Sequence, residues 1–113
     1  MEKVSVINTI TVPEGMESAA EEVREKYVEY FSKQEGFVES VFYKSIEREK
    51  DGSIKYINTV VWESIEAFNH VVNIGFNNEE GQNSDGYKVL GRGFPEPIKV
   101  SQGRYLRIFE NYA

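Results

Sequence analysis

Two asparagines and a tryptophan carry the residue types best placed for chemistry. Asn8 interrupts the run Val4-Ser5-Val6-Ile7-Asn8-Thr9-Ile10-Thr11-Val12, and Asn58 interrupts Tyr56-Ile57-Asn58-Thr59-Val60-Val61-Trp62. Strict alternation puts Asn8 on one strand face with Val4, Val6, Ile10 and Val12, and Asn58 on one face with Tyr56, Val60 and Trp62. Carboxamides and an indole N–H keep their protonation state. In a water-poor pocket they suit holding a developing oxyanion rather than shuttling protons. The same residues also have a structural reading, since a buried asparagine can satisfy neighbouring backbone and a buried tryptophan can simply be core.

Other chemistries find less support. There is no cysteine, which removes thiolate catalysis, cysteine-ligated zinc and iron–sulfur clusters, and His70 is the one histidine. Glu66 and His70 have the i, i+4 spacing of two metal ligands without an evident third, so no metal site is expected. His70 falls roughly opposite the Phe68, Val72 and Phe76 stripe, toward solvent. The glutamates at 17, 21, 22, 25 and 29 read as a solvated helix face rather than paired catalytic carboxylates. Gly91-Arg92-Gly93 lacks the preceding strand and following helix of a phosphate loop and reads as a turn. Nineteen acidic against 13 basic residues give a net charge of −6, and the arginines are scattered, so nucleic acid is not an expected partner. No apolar run approaches the roughly 18 residues of a membrane span, and the first residues lack the features of a signal peptide. A soluble, cytoplasmic protein is the expectation. At 113 residues with 40% hydrophobic and 28% charged side chains, residues 1–113 are expected to form a single domain.

The elements that position the asparagines follow from periodicity. Residues 4–12, rich in β-branched side chains, read as a strand ended by Pro13. Met16, Ala19, Ala20, Val23, Tyr27, Tyr30 and Phe31 recur at helical spacing and predict a helix closing at Gly36. Strands are predicted from Phe37 to about Arg48 and from Ile54 to Trp62, joined by a hairpin through Asp51-Gly52. Ser64 caps a second helix through Ile65, Phe68, Val72 and Phe76. Residues 77 to 97, with four glycines and two prolines, read as a long functional or oligomer-forming connection, and a last strand is expected from about Gly103 to Glu110. The order β-α-β-β-α-β is the split βαβ arrangement of ferredoxin-like α+β domains. In that topology the first and third strands are neighbours, so Asn8 and Asn58 both project under the helices. On the second strand Val38, Phe42 and Ile46 alternate with Phe37, Val41 and Tyr43, so neither sheet face suits open water, and a second sheet from an identical subunit is the simplest cover.

Three stretches resemble a known family: Ile7-Asn8-Thr9-Ile10-Thr11-Val12-Pro13-Glu14-Gly15, Lys33-Gln34-Glu35-Gly36-Phe37-Val38, and Asn58-Thr59-Val60-Val61-Trp62-Glu63-Ser64-Ile65-Glu66-Ala67-Phe68. Together they are similar to the antibiotic biosynthesis monooxygenase domain, with the Trp-Glu-Ser-x-Glu-Ala-Phe strand–helix junction as the most specific part. The resemblance covers residues 3 to 76 and only loosely the remainder. It implies a dimeric α+β barrel.

Two branches of that family have recognisable site residues. The cofactor-free anthrone monooxygenases carry an Asn four residues before the junction Trp, matched by Asn58 and Trp62. They also carry a Tyr six residues after that Trp, where this chain has Phe68, and a downstream Arg, for which Arg92 is the candidate. The heme-degrading branch has an Asn on the first strand, matched by Asn8, but its second Trp and ligating His fall on Val71 and near Gly81. The resemblance therefore implies a cofactor-independent monooxygenase that oxidises an electron-rich hydroxyaromatic or quinol with O2. Asn58, Trp62 and Asn8 are its expected catalytic residues, and Phe68, Val72 and Arg92 its expected substrate contacts. The partners expected are the small aromatic substrate, O2 and a second subunit, with no cofactor. The alternative is a small-molecule- or heme-binding barrel without catalysis.

Overall fold

The computed structural model describes residues 2–71 and 94–113. Their elements run β1 (Val4–Val12), α1 (Glu17–Ser32), β2 (Phe37–Lys44), β3 (Ile54–Trp62), α2 (Ile65–Val71) and β4 (Lys99–Leu106). The expected β-α-β-β-α-β order is observed, and the strands form one antiparallel sheet in the order β2-β3-β1-β4. β1 pairs along all nine residues with β3, from Val4 opposite Trp62 to Val12 opposite Ile54, and this register makes Asn8 and Asn58 direct partners.

The strands differ from expectation at their ends, each time because partner geometry decides where alternation leaves a choice. β2 stops at Lys44 rather than near Arg48. Beyond it the Ser45 N–H still reaches the Lys55 carbonyl at 2.8 Å, and the chain then turns on its own bonds, with Glu49 and Gly52 N–H donating to Ser53 and Glu49 carbonyls. Gly52 takes the positive φ of +87° that the Asp-Gly pair suggested. Ile46, expected on a strand face, lies exposed in this loop. A bulge between Phe37 and Glu39 shifts the register, so that Phe37 and Phe42, an odd number of residues apart, both face the helices opposite Trp62 and Asn58. Val38, expected to share a face with Phe42, is exposed instead. β4 spans 99–106 rather than 103–110 because β1 offers partners only from Thr11, opposite Lys99, to Val4, opposite Leu106.

α1 ends at Ser32, before Gly36, with the Gln34 N–H bonded to the Phe31 carbonyl at 2.9 Å. Gly36 does have a φ of +91°, but it opens β2 rather than closing the helix. A Cβ there would stand 2.5 Å from the Ala67 Cβ, so the absence of a side chain lets the chain pass beneath α2. Ser64 caps α2 as expected, its Oγ accepting from the Ala67 N–H at 3.1 Å. His70 is exposed, also as expected. Val72 and Phe76 lie outside the described residues, as does the connection from 77 to 93.

Between helices and sheet the core forms two clusters. One gathers Val4, Val6, Val60 and Trp62 with Tyr27, Phe31, Phe68 and Val71, and the other gathers Ile10, Val12, Ile54 and Tyr56 with Ala20 and Ile98. Along β1 and β3 the boundary between them is the Asn8–Asn58 pair. On the opposite sheet face Val41, Tyr43, Ile57 and Tyr105 are exposed, as the two-faced pattern anticipated. Among the described residues no helix is long and apolar enough to cross a membrane.

Candidate active site

The register builds a transverse row of side chains at mid-sheet: Phe42 on β2, Asn58 on β3, Asn8 on β1 and Gln102 on β4. Three of these four are carboxamides, and the rows on either side are largely apolar on the two central strands. Above the row lies a cavity of about 30 Å³, room for roughly one water molecule. Its floor is Asn8, Asn58, Ile10 and Val100, its roof is Arg24, Tyr27 and Phe31 of α1, and Phe94 closes one side with its ring centroid 6.0 Å from that of Tyr27.

Arg24 is a buried cation with specific partners. Its Nε donates to Asn58 Oδ1 at 3.0 Å, Nη2 to Ser40 Oγ at 2.8 Å, and Nη1 to Glu25 Oε1 at 3.0 Å. Its guanidinium also sits 4.9 Å from the Phe42 ring centroid. Ser40 Oγ adds a longer bond to the same Asn58 oxygen, at 3.4 Å. With Oδ1 doubly engaged, the group Asn58 has left for a ligand is its NH2. By contrast, Asn8 Oδ1 and Gln102 Nε2 are buried with no hydrogen-bond partner among the described residues. Such orphans cost about 1–3 kcal/mol each and call for an explanation.

One row further along, the Tyr56 phenol donates to Glu21 Oε2 at 2.6 Å. Burial, then that carboxylate, pushes its pKa above the ordinary tyrosine value, so it stays protonated. Among the described residues, no three His, Asp or Glu side chains gather into a cluster fit to hold a metal ion.

The residues expected from sequence separate into groups. Asn8 and Asn58 meet as partners at the cavity. Trp62 sits four residues along β3 from Asn58, two rows away on the same face, in an edge-on aromatic cluster with Phe31, Phe37 and Phe68 at 5.7, 5.9 and 6.2 Å. Among the described residues, neither Trp62 nor Phe68 lines the cavity. Val72 and Arg92 lie outside the described residues. Sequence reasoning missed Arg24, Gln102 and Phe94. Arg24 had a usable signal: it falls in line with Ala20, Tyr27 and Phe31, a lone charge inside the buried stripe of α1. Gln102 was hidden by the misplaced start of β4.

A four-stranded antiparallel sheet in the order 2-3-1-4, with two helices on one face and a polar row beneath them, defines a ferredoxin-like α+β domain. Solved structures share this fold across nearly their whole length. A proposed monooxygenase from Shewanella loihica PV-4 has a TM-score of 0.69 and 20% identity, covering 97% of each chain. SnoaB, a cofactor-independent oxygenase from Streptomyces nogalater, has a TM-score of 0.59 and 21% identity, covering 97% of each. A proposed antibiotic biosynthesis monooxygenase from Bacillus cereus has a TM-score of 0.58 and 21% identity, covering 100% of each. No match was found among curated proteins. The sequence model of the antibiotic biosynthesis monooxygenase family matches residues 3–73, and the chain belongs to that family.

Proposed function

We propose that this protein is a cofactor-independent oxygenase acting on an acidic hydroxyaromatic, anthrone or quinol, with Asn58 and Asn8 at its reacting centre. The observation that carries the reading is the Asn8–Asn58 pair: two carboxamides in direct register, each breaking an otherwise apolar strand face, on the floor of one cavity. Family membership and the likeness to SnoaB support it.

The Asn58 NH2 is a donor suited to a substrate oxygen that gains negative charge, and Asn8 Oδ1 is an acceptor suited to a substrate hydroxyl. Arg24 adds positive charge beside them. Among the described cavity residues none is a base, and in this reading the substrate is acidic enough to give up its proton to water. For an anthrone, the resulting anion passes an electron to O2 and the two radicals combine as a carbon-bound peroxide. Its O–O bond then breaks, one oxygen staying as a carbonyl and the other leaving as water. Both methylene hydrogens end in that water, and the two C–H bonds supply the four electrons that reduce O2. Trp62 and Phe68 act in this reading as the packed wall that holds β3 and α2 in place, and Phe94 is the side chain that an incoming ring displaces.

Oxygen uptake on dithranol and a panel of hydroquinones, with chelator present, tests this. Asn58→Ala is expected to lower turnover on the order of a hundredfold, the usual loss for one oxyanion donor. A folded Asn58→Ala protein with wild-type turnover would sink the assignment. The competing reading, a barrel that binds small molecules without turnover, draws on Phe68, which offers no phenol at its position. Ligand-dependent rise of the thermal midpoint without oxygen uptake would select it.

A further inference from the structure

We infer that Arg24 is a positioning residue that sets which end of the Asn58 carboxamide faces the cavity. The inference deepens the preceding reading for its substrate, but the orientation it concerns belongs to the ligand-free protein. The oxygen and nitrogen ends of an asparagine amide are nearly equal in size, so packing alone leaves two orientations of similar shape. Here the oxygen end meets two donors, Arg24 Nε at 3.0 Å and Ser40 Oγ at 3.4 Å. Rotating the amide by half a turn would set NH2 against the guanidinium and strip a buried charged donor of its acceptor. Charge-assisted hydrogen bonds are about twice as strong as neutral ones, so a single orientation results.

Arginine is the side chain that does this. Its planar fork reaches Asn58 through Nε and Ser40 through Nη2 at once, tying α1 to β3 and β2 together. Phe42, the neighbour of Asn58 in the row, places its ring centroid 4.9 Å from the guanidinium carbon. Nη1 is held by Glu25, whose own side chain is 70% exposed. The cation is therefore not half of a closed, buried ion pair. A hydrophobic residue at position 24 would complete the stripe of Ala20, Tyr27 and Phe31 without the desolvation penalty of a guanidinium. What the arginine adds is a defined donor, the Asn58 NH2, aimed where a substrate oxyanion develops.

The test has two readouts. In 15N-labelled, ligand-free protein the side-chain NH2 signals of Asn58 are identified by their disappearance in Asn58→Ala, then compared in wild type, Arg24→Met and Arg24→Lys. Both Arg24 variants are expected to shift and broaden that pair while the backbone spectrum of the sheet is retained. In oxygen uptake with dithranol, Arg24→Met is expected to lower kcat about tenfold or more with a smaller change in KM, and the double variant with Asn58→Ala to be no slower than Asn58→Ala alone. Arg24→Lys keeps the charge but not the fork, and it decides the matter if Arg24→Met does not fold. Unchanged Asn58 amide signals in a folded Arg24 variant would overturn the inference, as would losses that multiply in the double variant. If wild type shows no uptake on dithranol, that failure counts against the proposed reaction, while the amide signals still decide the role of Arg24.

Discussion

At Asn8 the proposed function and the stability of the sheet pull in opposite directions. Its Oδ1 is buried and without a partner among the described residues, inside a strand face otherwise made of valine and isoleucine. Valine would fit that face without leaving an unpaired acceptor. Asn8→Val is therefore expected to raise the thermal midpoint, because it removes an orphan acceptor costing about 1–3 kcal/mol, and to lower oxygen uptake. Loss of stability in calorimetry would assign Asn8 to the fold instead. Asn58 contrasts with it, since its truncation leaves Arg24 Nε without its acceptor. Both asparagines were legible from the sequence because a polar residue breaking strict alternation is visible without a structure. Arg24 is the same kind of violation at helical period, but the acidic residues crowding α1 made one more charge look ordinary. Gln102 has no such signature, because on the outer strand half its neighbours are polar as well.

At the scale of elements, alternation identified every strand, and it failed at ends and at the bulge that turns Phe37 and Val38 to the faces opposite those expected. β1 and β3 are both fully apolar on the helix-facing side apart from the asparagines, and their bounds were readable. β4 borrows its bounds from β1, and no local pattern in residues 99–106 encodes that. Gly36 carries two separate constraints that can be measured apart. Gly15 has a φ of +93° with open space around a would-be Cβ, whereas Gly36 has a φ of +91° and the Ala67 Cβ at 2.5 Å. Gly15→Ala is expected to cost about 1–2 kcal/mol from backbone strain alone, and Gly36→Ala distinctly more, read from denaturant midpoints. Equal losses would mean that α2 yields freely to the added methyl. The packing of α2 on the start of β2 would then contribute little to holding Trp62 in its aromatic cluster.

For the whole molecule, the uncovered sheet face is the main unanswered demand. Val41, Tyr43, Ile57 and Tyr105 are all exposed there, and Ile108, Phe109 and Tyr112 follow in the segment after β4. Exposed apolar side chains gathered on one sheet face favour burial against another protein surface. A second copy of the chain, sheet against sheet, is the occupant we propose. Sedimentation is expected to show two copies for wild type and one for Ile57→Glu. A wild-type monomer at micromolar concentration would reject it. The helix-covered face would be spared by that substitution, so ligand binding by the separated subunits would report whether each half holds a complete site.

The polar row also has a mechanical meaning. Asn8 is the fifth of nine residues in β1, a strand bonded on both sides, and Asn58 stands opposite it on a strand that is also bonded on both sides. The floor of the candidate site thus lies mid-sheet, where a shift of the backbone at either asparagine would have to carry three strands with it. Under the proposed function, adaptation to ligands of different outline falls to the walls, to the α1 residues above and to Phe94 beside them. Changes there should retune which molecules fit while the two carboxamides, anchored at mid-sheet, keep a constant spacing.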